Sequence, residues 1–328
     1  MSTPGPPSPD PPLTAPGRRA LALQAGAALL AACAPRPSTP AGLTIGYQRN
    51  GVLLLARSRG VVDRLLAPIG LKWVEFPSGP PLLEAMNSGA VDLGATGDTP
   101  PIFAQAAGSA LQYVAYQPLS GQSEGLLVPP DSPIRRLADL EGKRIAFTKA
   151  SSSHLLVANA LAAAGLTLGQ ARPVFLSPSD AASAFAKRAV DAWAVWDPFL
   201  ALAQRDQHAR LLVSGDRLPR TDAFYLASNA VIGRAPQALA RLLDALRAEA
   251  AWGEANRGEL IRIVSAANGL PADIVDTSLR RGRLAVEPLD HAAVVRQQAA
   301  ADTLQNIAVI PRKVRIEEAV WSGWRPTS

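Results

Sequence analysis

A single cysteine, Cys33, in 328 residues excludes any intrachain disulfide, so an apolar core has to hold the fold. Histidine is almost as scarce. His154, His208 and His291 stand far apart, and no Cys or His pair has the spacing of metal ligands, so no metal site and no cofactor is expected. The phosphate-cradling pattern Gly-x-x-x-x-Gly-Lys is missing as well. Lysine occupies five positions against twenty-eight arginines, and the basic residues are scattered singly apart from pairs such as Arg135-Arg136 and Arg280-Arg281. The net charge of +6 therefore reads as composition bias, and no nucleic-acid partner is expected. What the chain has in quantity is apolar surface. At 48% hydrophobic and 18% charged residues it is globular in composition, and its length suits two domains of ordinary size.

The first forty residues differ from the rest. Residues 1–17 carry seven prolines and no basic residue, a composition that builds no packed core. Arg18-Arg19 then precede a soft apolar run from Ala20 to Ala32, too short to span a membrane but of the length of a signal-peptide core. The run ends in Leu30-Ala31-Ala32-Cys33, which resembles a bacterial lipobox, and Arg18-Arg19 resembles a twin-arginine export signal. Cleavage before Cys33 would leave a lipidated cysteine as the new N-terminus. Residues 34–42, rich in proline, read as a tether.

Beyond the tether, strands alternate with helices. Leu43–Tyr47, Lys72–Phe76 and Val91–Ala95 read as strands, separated by helices over Leu53–Leu66 and from Pro77 through Met86. Strands follow at Leu111–Tyr116 and Gly125–Val128. A second unit repeats the pattern, with strands at Ile145–Phe147, Pro173–Leu176 and Ala192–Val195 and helices over Ser151–Ala164 and Ala181–Arg188. Phe224–Ala227 reads as a strand returning to the first unit, and from Pro236 to Trp324 the chain reads as almost wholly helical. Such alternation predicts an α/β architecture with helices on both faces of each sheet.

An internal echo ties the two units together. Ala90-Val91-Asp92-x-x-Ala95-x-x-Asp98 recurs as Ala189-Val190-Asp191-x-x-Ala194-x-x-Asp197, each with a proline just beyond. Both copies read as a strand breaking into a helix, and helix N-termini attract anions. Three clusters fall at such junctions: Thr96-Gly97-Asp98, Ser151-Ser152-Ser153-His154 and Trp196-Asp197. Singly, each is an ordinary helix cap. Together, at the carboxyl ends of strands where open α/β sheets bind ligands, they suit a three-oxygen monoanion. Asp98 and Asp197 read as caps satisfied by their own helices, with contact to a cationic ligand group as the alternative. Trp196, Trp193 and Tyr47 are candidates to wall a pocket, Trp193 more simply as core. The one enzymatic pattern, Gly121-Gln122-Ser123-Glu124-Gly125, has the form of a hydrolase nucleophile elbow, but an extended apolar run follows it where the elbow needs a helix. It is rejected.

Several of these runs resemble the aliphatic-sulfonate-binding proteins of ABC importers. The resemblance rests on Ile45-Gly46-Tyr47-Gln48, Trp73–Pro77, Val91–Asp98, Pro100–Ala107, Ser151–His154, Val190–Pro198 and Phe224–Ala227, and it extends from about Leu43 to Trp321. It implies a type II periplasmic-binding-protein fold, two doubly wound lobes joined by two crossings with a ligand cleft between them. The first lobe would take residues 43–122 and 224–328 and the second 123–223, behind a signal segment 1–33. It also implies a monomeric extracytoplasmic receptor, lipid-anchored through Cys33, that passes an alkanesulfonate to a permease and its ATPase. Carried onto this chain, the sulfonate meets Thr96, Gly97 and Asp98 from one lobe and Ser151, Ser152, Ser153, His154, Trp196 and Asp197 from the other, with Gln48 as a further contact. Arg49–Val52 and Gln117–Gly121 depart from the family pattern and leave the ligand's tail open, so taurine, nitrate or an aromatic sulfonate stand as alternatives. An enzyme on the same scaffold is the rival of another class, and it would need a nucleophile or an acid–base pair in the cleft. A regulator would need a helix-turn-helix ahead of the lobes, which residues 1–42 cannot form.

Overall fold

The computed structural model describes residues 42–326, together with Met1, Ser2 and Gly5. Cys33, the arginine pair and most of the tether lie outside the described residues. Two five-stranded sheets organise the chain. The first contains β1 (Leu43–Tyr47), β2 (Leu71–Glu75), β3 (Leu93–Thr96), β4 (Leu111–Pro118) and β10 (Asp222–Ser228), in the order β2-β1-β3-β10-β4. The second contains β5 (Glu124–Val128), β6 (Arg144–Phe147), β7 (Arg172–Phe175), β8 (Ala192–Trp196) and β9 (Arg210–Ser214), in the order β7-β6-β8-β5-β9. In each sheet three strands run parallel and an antiparallel strand is inserted fourth, β10 in the first and β5 in the second. The sheets are topological copies. The strand that enters each one out of order is the strand that follows a crossing from the other.

The Ala-Val-Asp echo has a structural cause. It places β3 and β8 at the same position in their sheets, and its first aspartate grips the strand alongside. Asp92 accepts the Thr44 amide at 2.9 Å and donates its own to the Thr44 carbonyl at 2.8 Å. Asp191 does the same with Arg144, at 2.8 and 2.9 Å. The pairing registers β1 with β3 and β6 with β8, and so fixes where each third strand ends and its helix begins.

Helices cover both faces of both sheets. Against the first sheet pack α1 (Gly51–Arg59), α2 (Val61–Leu65), α3 (Gly79–Asn87), α4 (Thr99–Ala106) and the C-terminal helices; against the second, α5 (Ser152–Ala163), α6 (Pro178–Ala186) and α7 (Phe199–Asp206). Apolar residues of α1 and of α9 (Pro236–Ala255), such as Leu54, Leu55, Leu242 and Leu246, bury one face of the first sheet. Leu82, Met86, Ile102 and Leu304 bury the other. The second sheet is sandwiched likewise, by Leu156, Val157 and Leu161 on one side and Phe185, Trp193 and Leu200 on the other. Trp193 is therefore core, fully buried against Phe185 and Phe199.

Two sequence expectations need correction. The helix expected over Leu53–Leu66 is broken at Gly60, whose left-handed backbone (φ 61°) ends α1 and lets α2 start at a new angle. The C-terminal part is less helical than its composition suggests. After α8 (Asn229–Arg234), α9, α10 (Arg257–Asn268) and α11 (Ala272–Arg280), residues 282–290 are non-helical and Glu287 pairs in both directions with Tyr116 at 2.9 Å, before α12 (His291–Asn306). Among the described residues beyond α12 the one helical element is a 3-10 turn, Ile316–Ala319. Among the described residues no helix is long and apolar enough to cross a membrane.

Candidate functional site

Where the carboxyl ends of the two sheets meet there is a cavity of about 230 Å³. Five helices of eight residues or more begin on its wall: α1 at Asn50-Gly51, α3 at Gly79, α4 after Thr96-Gly97-Asp98, α5 at Ser151-Ser152 and α7 after Asp197-Pro198. The N-cap side chains of α1, α3, α4 and α5 make no capping hydrogen bond to the backbone of their own helices. The first-turn N–H groups that these helices retain, fewer in α3 and α4 because Pro80, Pro81, Pro100 and Pro101 carry none, have no partner inside a helix and are left at the cavity wall. Each helix end also carries about half a positive charge, so their convergence suits an anion.

Of the residues expected at the site, Gln48, Thr96, Gly97, Asp98, Ser151, Ser152, Trp196 and Asp197 line this cavity. Ser153 and His154 do not. Both are buried one step behind the wall, because the first turn of α5 rotates them toward the core. The His154 ring packs 5.0 Å from Phe147 and 5.9 Å from Phe103, its Nδ1 accepts the Ala150 amide at 3.3 Å, and burial lowers its pKa to about 4. It is a neutral core residue. Tyr47 is also off the wall, with its hydroxyl on Glu75 at 3.0 Å.

Polar atoms on the wall are largely spoken for by the protein. Gln48 donates to the Ala95 carbonyl at 3.0 Å, Thr96 to Gly97 at 2.9 Å and Ser151 to Thr148 at 2.7 Å. The Ser152 hydroxyl lies against the Glu124 carboxyl. Asp98 is not the cap its position suggested. Its backbone is helical, its Oδ1 accepts the Thr99 hydroxyl at 2.9 Å, and its Oδ2 accepts nothing from the described residues. Asp197 does support its helix, accepting the Ala201 amide at 3.1 Å, but most of its charge is met elsewhere.

That partner is Arg281, which the sequence did not single out. From the end of α11, packed on the first sheet's side, it reaches Asp197 at 2.9 and 3.2 Å and also grips Gln204. Arg205 on α7 meets Asp273 on α11 at 3.3 Å alongside it. These contacts bridge the two sheets' helix layers on one flank of the cavity. On the other flank Gly97 and Ser152 approach so closely that a Cβ on Gly97 would lie 3.0 Å from that of Ser152. Glu124 is the second residue passed over. It appears in the sequence only inside the rejected Gly-x-Ser-x-Gly pattern, yet as the first residue of β5 it is buried on the cavity wall. Burial holds its carboxyl well above the usual carboxylate range, and burial with the neighbouring Glu124 charge raises that of Asp98 likewise. Arg49 and Arg283, the cationic residues on the wall, face Glu75 at 2.7 Å and Glu287 at 3.7 Å.

Two sheets of identical strand order, each presenting helix N-termini to a cavity between them, define the periplasmic-binding-protein fold. Comparison with known proteins narrows this. Residues 73–256 match the family model described as NMT1/THI5 like. The chain is 38% identical over 286 residues to the putative aliphatic sulfonates-binding protein of Escherichia coli strain K12, covering 87% of this chain and 90% of that one. The structure of the periplasmic aliphatic sulphonate binding protein from Escherichia coli superposes with a TM-score of 0.79 at 38% identity, over 88% of this chain and 93% of the other. The alkanesulfonate-binding protein from Xanthomonas axonopodis pv. citri, solved bound to MOPS, superposes with a TM-score of 0.82 at 39% identity, over 87% of this chain and 99% of the other. The chain belongs to the NMT1/THI5-like family and, within it, to the aliphatic-sulfonate-binding proteins.

Proposed function

We propose that the protein is an extracytoplasmic solute receptor that binds an alkanesulfonate in the cavity between its lobes and hands it to an ABC permease for sulfur acquisition. The observation that carries this reading is the convergence of five helix N-termini on one cavity whose arginines are already matched by carboxylates. A sulfonate is a monoanion with three oxygens that accept hydrogen bonds and none that donates. Backbone N–H groups from several directions suit it better than a lysine, which would attract carboxylates and phosphates as well. The relatives' ligands, sulfonates by name, support the same choice. The lobes are residues 43–122 with 224–328, and 123–223, hinged near 122–125 and 221–224. The ligand is held by Thr96, Gly97, Asp98, Ser151, Ser152 and Trp196, with Gln48 at the edge. Cys33 carries the lipid anchor, and the receptor works as a monomer without chemistry on its ligand.

The test is a calorimetric and thermal-shift survey of alkanesulfonates of increasing chain length beside taurine, nitrate, sulfate esters and an arenesulfonate. Micromolar or tighter binding of alkanesulfonates, with a raised melting temperature, is expected. Binding of nitrate or taurine in preference to every alkanesulfonate would replace the substrate class, and turnover of a bound sulfonate would replace the receptor by an enzyme.

A further inference from the structure

Asp98 and Glu124 reach the cavity from opposite sides. Asp98 follows β3 of the first sheet, and Glu124 begins β5 of the second. They are buried to 1% and 7% exposure, and no Arg, Lys or His among the described residues pairs with either. Asp98 leaves Oδ2 without a partner, and Glu124 meets only the hydroxyls of Thr221, at 3.4 Å, and Ser152. Two ionised carboxylates in this position would oppose each other, and a sulfonate would add a third negative charge.

We propose that Asp98 and Glu124 hold a proton between them across the cleft, and that this proton turns the Ser152 hydroxyl into a donor toward the bound sulfonate. The inference rests on the sulfonate reading above. A protonated Glu124 donates to Ser152 Oγ, leaving the Ser152 proton to point at an oxygen of the ligand. An ionised Glu124 takes the Ser152 proton instead, and the hydroxyl then presents its lone pairs to an anion. Burial and mutual repulsion favour the protonated form of the pair near neutrality. The charged and titratable groups around the pair are matched by other partners. Asp222 on β10 pairs with Arg296 of α12 and Asp197 with Arg281. Asp216 takes the Gln122 amide. The Tyr113 hydroxyl of β4 bonds Gln297 of α12 and is pushed above its ordinary range by burial. His154 of α5 is neutral. Arg49 and Arg283 face Glu75 and Glu287.

The consequence is proton-linked binding. Above the range in which the pair loses its last proton, each sulfonate bound takes up one proton from solvent, and affinity falls about tenfold per pH unit. The experiment is titration calorimetry of the full chain with propanesulfonate, whose own charge does not change, from pH 6 to pH 9 in two buffers of different ionisation enthalpy. Wild type is expected to bind on the order of tenfold or more weakly at pH 9 than at pH 7, with proton uptake seen as a buffer-dependent heat. Glu124→Gln, whose amide donates to Ser152 at every pH, is expected to flatten this slope; Asp98→Asn, which removes the opposing charge and so makes Glu124 easier to ionise, is expected to shift the fall to lower pH. Binding of propanesulfonate with an affinity independent of pH and no proton exchange overturns the proposal and leaves the receptor reading intact. Failure of wild type to bind any alkanesulfonate at any pH overturns both. The wild-type measurements decide the matter even if a variant does not fold.

Discussion

Replacing Gly97 with alanine adds one methyl group at the narrowest point between the lobes. The backbone of Gly97 is not in the left-handed region, so alanine brings no conformational strain, and it keeps the N–H that faces the cavity. What it changes is the distance to Ser152. The added Cβ would lie 3.0 Å from Ser152 Cβ and 3.3 Å from its Oγ, against the roughly 3.5–4.0 Å at which carbon atoms pack best. Both neighbours belong to helix starts pinned by their sheets, so relief comes from parting the lobes by some fraction of an ångström. Overpacking of this kind costs about 1–3 kcal/mol. The cost falls only on the closed form, because lobes that have swung apart do not meet there. Calorimetric titration with an alkanesulfonate should therefore show a dissociation constant roughly five- to 150-fold weaker, while the melting temperature without ligand hardly moves. Gly97→Val should weaken binding further. Gly233→Ala, at a helical position with open space around it, serves as the neutral control. Wild-type affinity in Gly97→Ala would refute the closure argument, and an equal fall in unliganded stability would show that the two lobes do not separate at this point.

Other perturbations probe the remaining contacts. Ser152→Ala should lose about 1.5–3 kcal/mol of binding, on the order of ten- to hundredfold in dissociation constant, because a hydrogen bond to a charged group is removed; calorimetry reads it, and normal binding with early melting would reduce Ser152 to a structural role. Arg281→Met leaves the Asp197 carboxylate buried without its cation, so a loss of about 3–5 kcal/mol in the ligand-bound form is expected by denaturant unfolding, and Asp197→Asn in the same chain should recover part of it. His154 has its pKa depressed by burial to about 4, so the stability its neutral form confers is full above about pH 6.5 and is lost as the pH falls toward 4. At most about 3 kcal/mol is at stake, and His154→Phe should flatten that acid limb of the melting curve; an unchanged limb would mean other groups cause it. Cys33→Ala should release the protein from the membrane fraction or block its processing, and unchanged retention would remove the lipid anchor.

What was legible in the sequence was local. The Ala-Val-Asp echo is visible because Asp92 and Asp191 each perform one job, gripping the neighbouring strand, and that job needs the same residues at the same spacing in both lobes. From it follow the two strand-to-helix junctions and, on the cavity wall, Thr96, Gly97, Asp98, Trp196 and Asp197. Ser153 and His154 were misplaced because a run of hydroxyls looks alike on every side, and only the rotation of the first helical turn decides which ones face out. Asp98 reads as a cap from its neighbours, whereas its helical backbone denies it the geometry. Arg281 and Glu124 carried no local signal. A buried arginine and a surface one share a letter, and the Arg281–Asp197 pair joins positions far apart in sequence. The non-helical stretch 282–290 was read as helix because the residue that pairs with Glu287, Tyr116, lies in a strand much earlier in the chain.

The insertion of β10 between β3 and β4 has a consequence in time. Strands β5 to β9 are contiguous, from Glu124 to Ser214, so the second sheet has all its members as soon as that stretch exists. The first sheet does not. Until residues 222–228 arrive, β3 and β4 have no strand between them and each exposes an open edge. A chain made or exported N-terminus first therefore completes its second sheet before its first, and the earlier half waits on the later one, a long-range closure of the kind that slows folding. Any truncation ahead of β10 strands the first sheet in that unfinished, adhesive state, while the second sheet keeps every strand it needs.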